Sequence, residues 1–321
     1  MPRVLVAGRL HPSGLKILAD APSLDVNYIE DTTTEAMLPH IGAAEAILLR
    51  GQPMNAQMIG DCPDLKLVSR HGVGYDAVDL RAMNARGIAL SIVGDVNAQA
   101  VAEHAMMLLL ACSRRLIAYD QSVRPEGDWN YRNDLVAREV FQKTLLIIGL
   151  GRIGRRLAKM AAGFDIKVTA YDPYAGEPPH GVTMVEDLHE GLKAADLVSL
   201  HMPKADKPII GATELALMKP TAVVVNTARG GMIEETALAD ALNQSRLHGA
   251  GIDVFSVEPT LESNPLLSPA QAILTPHSAS MTVECAQRMG EVSAQNIVDF
   301  FKGELDPALV VNSADIGFSR S

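Results

Sequence analysis

The sequence predicts an α/β protein built as two doubly wound, parallel-sheet domains. Three observations lead there. The chain has 321 residues, beyond the size at which a single hydrophobic core stops growing. Short β-rich runs alternate with longer helical patterns from the first residues, which is the rhythm of strands covered on both faces by crossover helices. That rhythm runs through two successive series, and the second opens with a glycine-rich turn at 149–154, almost halfway along the chain.

The first series begins with VLVAG at 4–8 and a helical pattern from His11 through Leu18. It continues with VNYI at 26–29, AILLR at 46–50, LKLVSR at 65–70 and IALSIV at 88–93. These short runs, rich in Val, Ile and Leu, have the length and composition of buried strands. A helical pattern then covers 98–118, AQAVAEHAMMLLLACSRRLIA. It is too apolar around its circumference for a surface helix, so it is either a central core helix or a subunit interface. A polar, aromatic-bearing connection, RPEGDWNYRNDLVAREV, leads to the second series. Its strands are read in KTLLIIGLGRIGRRL at 143–157, VTAYD at 168–172, LVSLHM at 197–202, AVVVNT at 222–227, GAGIDVF at 249–255 and AILTPH at 272–277. A helix over roughly Thr282 to Lys302 and a short tail close the chain. One architecture thus occurs twice without a sequence repeat.

Composition narrows the function classes. A mean hydropathy of +0.11 with 48% hydrophobic residues is enough for two cores. The formal net charge of −10 argues against nucleic acid or an anionic membrane as the general partner, yet leaves room for a small basic pocket. Cys62, Cys112 and Cys285 are odd in number, widely spaced and without a CxxC pair. They read as packing residues in a reducing cytoplasm, and no metal site is expected. An apolar run starts within three residues of the N-terminus, which leaves no room for a secretory leader. The longest apolar stretch, 98–112, carries Glu103 and His104, so no membrane span is expected.

Gly149, Gly151 and Gly154 form G-x-G-x-x-G between an apolar strand and a helix. The first glycine makes the tight turn, the second lets backbone approach a pyrophosphate, and the third lets helix pack closely on strand. The helix N-terminus then meets the phosphates with its partial positive charge. The next strand ends in Asp172, 18 residues beyond Gly154, close to the roughly 20 expected for an acid that binds ribose hydroxyls. Asp172 would repel a 2′-phosphate, and Pro173 and Tyr174 bring no arginine, so the expected cofactor is NAD.

Three polar residues each follow an apolar run: Arg229 in NTARGG, Glu258 in DVFSVEP and His277 in LTPHSAS. In doubly wound folds ligands bind beyond the carboxyl ends of the strands, so the three could converge on one crevice. Alone, each has an ordinary explanation as a turn, loop or structural residue. Together with the glycine loop they occur in one order, with 258 − 229 = 29 and 277 − 258 = 19 residues between them. By these motifs the chain resembles the D-isomer-specific 2-hydroxyacid dehydrogenases, most closely their phosphoglycerate and hydroxypyruvate-type members, over nearly its whole length.

The resemblance implies a Rossmann NAD domain, residues 96–283, inserted into a flavodoxin-like substrate domain made of 1–95 and 284–321. The active site would lie in the cleft between them, and the apolar helix at 98–118 would help form a homodimer. By resemblance His277 is the acid/base, Glu258 accepts a hydrogen bond from its other ring nitrogen and raises its pKa, and Arg229 holds the substrate carboxylate. Related formate dehydrogenases carry Gln in place of that Glu, which disfavours formate. Val73 and Gly74 match the loop that cradles the carboxylate. Arg152 and Ile153 meet the pyrophosphate, Thr227 lies beside the nicotinamide ribose, Asp253 holds the carboxamide, and His201 with Pro203 matches the turn near the adenosine. His71 and His104 read as structural. Arg50, with Arg132 as a second cation, suits a phosphorylated substrate, making 3-phosphoglycerate the leading expectation over hydroxypyruvate, glyoxylate or another 2-oxo acid. The partners expected are a small 2-hydroxy or 2-oxo acid and a second copy of the chain. A reading from another class is an NAD-sensing corepressor, since the C-terminal binding proteins keep the same three polar residues on this fold.

Overall fold

A computed structural model of the chain describes residues 1–31 and 33–320. The first series supplies five strands: β1 (Arg3–Ala7), β2 (Asp25–Ile29), β3 (Ala46–Leu49), β4 (Leu67–Arg70) and β5 (Ala89–Ser91). They form one sheet in the order β2-β1-β3-β4-β5, every pair parallel. This is the flavodoxin-like order, whose switch point falls between β1 and β3. Central strands β3 and β4 present buried residues to both faces because helices cover both.

Pro12–Ala19 and Val283–Lys302 are two helices of this sheet. The first starts on Pro12, whose fixed φ suits the first helical turn, behind a His11 N-cap. The second is capped by Thr282 and stopped by Gly303 at φ +76°. They pack closely enough that a Cβ on Gly14 would come within 2.6 Å of the Gly290 carbonyl oxygen. The tail returns to the sheet: Val310 bridges Ser91, and the buried Asn312 amide accepts from Leu90 N–H and donates to the Ile88 carbonyl.

The second series supplies seven strands: β6 (Thr144–Ile148), β7 (Lys167–Tyr171), β8 (Val182–Met184), β9 (Leu197–Leu200), β10 (Val223–Asn226), β11 (Gly249–Ile252) and β12 (Ala272–Leu274). Their order is β12-β11-β10-β9-β6-β7-β8, all parallel, with the switch point between β6 and β9. Val223, Val224 and Val225 of β10 are almost fully buried, each contributing about 1.5–3 kcal/mol by leaving water. β8 has no counterpart among the expected strands. Its burial is only partial, as befits an edge strand, and so it lacks a recognisable apolar run.

The helix expected over 98–118 is two helices, Ala98–Ser113 and Leu116–Ser122. At the break Arg115 takes a left-handed conformation (φ +53°), and the Ser113 carbonyl is taken by Arg138 N–H and lies 3.2 Å from the His248 ring. The first helix is not buried all round either. Ala105, Leu108, Leu109 and Cys112 pack into the core, while Met107 is 46% exposed. It lies directly on β11, where a Cβ on Gly251 would approach Leu108 Cβ to 2.8 Å. The glycines of GAGI therefore make room for the helix.

The chain divides into two compact units, Met1–Asn97 with Met281–Ser321, and Ala98–Ser280. Among the described residues no helix is long and apolar enough to cross a membrane. The three cysteines are buried and unpaired, and burial pushes the Cys62 thiol up to about 11 and the Cys112 thiol to about 12.

Candidate active site

In the second unit the glycine loop follows β6 at the switch point. Gly149 has φ +96°, and a Cβ there would come within 2.8 Å of the His201 backbone after β9. A Cβ on Gly154 would overlap the Gly149 carbonyl, whereas nothing lies within 4 Å of the corresponding position on Gly151. The turn is thus tight where strand, loop and helix meet, and open at its middle glycine. The helix Arg152–Ala162 begins there with Gly151 as N-cap and no side-chain cap, and Ile153 sits in its first turn. Asp172, at the end of β7, accepts from Leu150 N–H through Oδ2 (2.8 Å) and from Tyr174 N–H through Oδ1 (2.9 Å). Arg155 bonds the Leu150 and Glu177 carbonyls, so the glycine loop and the loop after β7 are held together.

His201 lies beyond β9, its Nε2 2.9 Å from Ser199 Oγ. Pro203 follows on the surface. The His201 Nδ1 and Thr227 Oγ1 atoms are buried without a protein partner. These two polar atoms and the open glycine are what a dinucleotide requires of the protein: backbone room for its phosphates and polar groups awaiting its sugars. The residues present therefore fit the cofactor.

Three further loops leave the adjacent strands β10, β11 and β12 at their carboxyl ends, carrying Arg229, Glu258 and His277. His277 Nδ1 lies 2.6 Å from Glu258 Oε2. The other Glu258 oxygen accepts Phe255 N–H at 2.9 Å, so the carboxylate is fixed at both ends. The Arg229 loop is shaped by Asn226, whose amide oxygen accepts Ala228 N–H and whose amide nitrogen donates to the Arg229 carbonyl. Gly230 then packs on the Glu258 loop: a Cβ there would overlap the Phe255 carbonyl oxygen. The glycines of ARGG are thus a packing requirement between two loops.

Electrostatics tie the three together. The Glu258 hydrogen bond raises the His277 pKa, against burial and Arg229, which lower it. Burial would raise the Glu258 pKa, but its bonds to His277 and Phe255 N–H and the Arg229 charge hold it below the usual carboxylate range. His277 is also held at φ +50°, rarely adopted by a histidine. Asp253, at the end of β11, is almost wholly buried. Its carboxylate accepts from Thr275 Oγ1 and the backbone of Ser278 and Ala279, and its carbonyl from His277 N–H.

Residues 106–279 match the family model of the D-isomer specific 2-hydroxyacid dehydrogenase, NAD binding domain. The chain is 38% identical over 315 residues to the D-3-phosphoglycerate dehydrogenase of Mycobacterium tuberculosis, covering 97% of this chain and 59% of that protein. It is 34% identical over 318 residues to a glyoxylate reductase of Korarchaeum cryptofilum, covering 96% of each. The chain belongs to the D-isomer-specific 2-hydroxyacid dehydrogenase family. Among solved structures, the NADPH-dependent glyoxylate/hydroxypyruvate reductase of Sinorhizobium meliloti, in complex with citrate, matches with a TM-score of 0.85 and 28% identity over the whole of both chains. Within the family the chain spans little more than half the length of the phosphoglycerate dehydrogenases it matches.

Of the remaining candidates of this family member, all but Arg132 lie in the first unit. Arg50 ends β3 and donates through Nη1 to the Arg9 carbonyl at 2.5 Å. Val73 and Gly74 follow β4, where Arg70 Nε donates to the Gly74 carbonyl. His71 is buried, and burial, then the Arg50 charge, pushes its pKa down to about 4, which keeps it neutral. Arg132 lies 5.5 Å from the centre of the Trp129 ring in the short Trp129–Asp134 turn of the second unit. Sequence reasoning did not find Asn226, Glu235 or Thr275. Glu235 accepts from Ser256 N–H and Asn264 Nδ2, bracing the loop of Glu258. Nothing local marks Glu235 or Thr275, whose side-chain partners lie 21 or more residues away, whereas Asn226 bonds only within its own loop, to Ala228 and Arg229.

Proposed function

We propose that this chain is an NAD-dependent oxidoreductase that interconverts a 2-hydroxy acid and the corresponding 2-oxo acid, with D-3-phosphoglycerate as its substrate. The observation that carries the reaction is the 2.6 Å pair of His277 Nδ1 and Glu258 Oε2 on neighbouring loops. NAD supplies hydride transfer when bound. Gly149, Gly151, Arg152, Ile153 and Gly154 would hold its pyrophosphate, Asp172 the adenosine ribose, and His201 and Pro203 would border the adenosine. Thr227 and the spare acceptor on Asp253 Oδ2 would meet the nicotinamide end.

With Nδ1–H given to Glu258, Nε2 is the ring nitrogen that exchanges a proton with substrate oxygen. Protonated, it donates to the carbonyl oxygen in reduction; neutral, it accepts the hydroxyl proton in oxidation. Glu258 stabilises the imidazolium and sets the tautomer. Arg229 holds the carboxylate with its planar, permanently charged fork, and Val73 and Gly74 are assigned to the same group. Arg50 is assigned to the distal phosphate, supported by its place just after β3, at the β1/β3 switch point and beside Arg9. A homodimer is supported by the exposed Met107, Leu116 and Ile117 along the two helices from Ala98 to Ser122 and by the exposed Val123 that follows them, and a reducing cytoplasmic setting by the three free thiols.

A steady-state NADH oxidation panel of phosphohydroxypyruvate, hydroxypyruvate, glyoxylate, pyruvate and 2-oxobutyrate tests this reading. Phosphohydroxypyruvate is expected to lead in kcat/KM and to lose on the order of 10-fold to 100-fold in Arg50→Ala, the loss of one or two charge-assisted hydrogen bonds. A lead by hydroxypyruvate or glyoxylate that survives the substitution would replace phosphoglycerate with a small 2-oxo acid. Tight NADH binding without turnover on any acid would favour the corepressor-like reading.

The pH profile gives a second test. Reduction needs protonated His277, so with the pKa raised by Glu258 the reductive rate is held into the range above the ordinary histidine pKa and falls as pH passes the raised value. Oxidation needs the neutral ring and rises through the same point. In Glu258→Gln the main raising charge is gone, which leaves only the Asp253 charge to raise the pKa against burial and Arg229. The reductive limb should move to lower pH, and an unmoved limb would remove Glu258 from this role.

A further inference from the structure

His277 sits on a loop that the sheet alone secures poorly, because β12 is a three-residue, half-buried strand at the sheet edge. A partly buried chain of hydrogen bonds, with Asp253 its buried member, runs from this loop to His104 on the helix Ala98–Ser113, a residue that neither the reaction nor the cofactor uses. Thr275 Oγ1 donates to Asp253 Oδ1 at 2.6 Å, and His104 Nε2 lies 3.0 Å from the same Thr275 oxygen. His104 Nε2 is also 3.6 Å from Asp253 Oδ1, with the two side chains 14% and 1% exposed.

The polarity of this chain follows from its chemistry. A carboxylate only accepts, and the Thr275 hydroxyl has one proton, which it gives to Asp253; its oxygen must then accept from His104, whose ring carries its proton on Nε2. At its other end Asp253 grips His277 from both sides. The Asp253 carbonyl accepts His277 N–H at 2.7 Å, and its carboxylate accepts the amides of Ser278 (2.8 Å) and Ala279 (3.0 Å), the two residues after it. These bonds hold His277 in its left-handed conformation, which a side-chain-bearing residue keeps only under restraint. The anchor at the far end is rigid, since the helix carrying His104 lies directly on the glycines of β11.

We propose that His104 is a positioning residue for His277, acting through Thr275 and Asp253 to hold the ring against Glu258; the inference rests on the acid/base reading of His277. Removing the Thr275 hydroxyl leaves Asp253 short of a bond, and removing His104 leaves that hydroxyl without the donor that orients it towards Asp253, in a low-dielectric place where such networks act as a unit. The loop then drifts, and His277 loses its alignment.

The test measures kcat, KM for the 2-oxo acid and Kd for NADH in wild type, His104→Ala, His104→Gln, Thr275→Val and the double variant His104→Ala/Thr275→Val. The downfield proton resonance of His277 Nδ1–H is followed in each. Thr275→Val removes the hydroxyl at nearly constant volume, which keeps the test alive if His104→Ala fails to fold. His104→Ala and Thr275→Val are each expected to lower kcat on the order of 10-fold to 100-fold, the cost of a misplaced catalytic group, with NADH affinity changed by far less than kcat and the resonance displaced. His104→Gln, whose amide still donates to Thr275, is expected to recover most of kcat and the wild-type resonance. The double variant should be no worse than the worse single one, since both cut the same chain. A wild-type kcat and an unmoved resonance in both single variants overturn the proposal, as do losses that multiply in the double variant. If wild type turns over no 2-oxo acid, the acid/base reading fails, and the resonance still decides whether His104 positions the ring.

Discussion

His277→Ala is expected to lower kcat by on the order of 10²–10⁴-fold, the usual worth of a positioned general acid/base, while Kd for NADH stays within a factor of about two, below the ~0.6 kcal/mol of thermal energy. The split follows from the geometry. His277 meets the rest of the protein through Glu258 and through its own backbone N–H, and an alanine can keep the backbone bonds. None of the glycine-loop contacts involves it. Transient kinetics with NADH and the preferred 2-oxo acid check this. A variant that keeps most of its kcat would mean that another group delivers the proton.

Gly230→Ala is expected to be nearly as damaging, by a different route. The added methyl must occupy the place of the Phe255 carbonyl oxygen, and backbone cannot yield as a flexible side chain can. Overpacking of this kind costs about 1–3 kcal/mol of stability. The Glu258 loop must shift to accommodate it, and the Arg229 loop with it. Displacement by ~1 Å at a reacting site costs about 100-fold in rate. Both kcat and the melting temperature should therefore fall, and the His277–Glu258 bond should lengthen in a structure of the variant. Wild-type turnover with a lowered melting temperature would show that the two loops pack together without shaping the site.

The strand rhythm made the parallel α/β architecture legible from the sequence, since buried strands must be short, apolar and bounded by turns. The glycine loop and the acid after the next strand were legible for a similar reason: each position meets a local steric or electrostatic demand that few residue types satisfy. Arg229, Glu258 and His277 stood out because a charged or titratable residue just beyond an apolar run is exposed at a strand end. β8 was not legible, because a half-exposed edge strand needs no apolar run. The break after Ser113 was not legible either, because the groups that take its last carbonyl come from residues 138 and 248.

By itself, then, the sequence determined the fold class, the dinucleotide turn and the strand ends on which the candidate residues stand, all of which rest on interactions within a few residues or on a repeating pattern. Only the tertiary structure decided that Glu258 meets Nδ1 of His277, that Gly230 is glycine because another loop's carbonyl lies where a side chain would be, and that His104 reaches the His277 loop through Thr275 and Asp253. Those contacts join residues 19 to 171 positions apart. Their distances are set by how helices and loops pack on one sheet, and no local pattern in the chain carries that information.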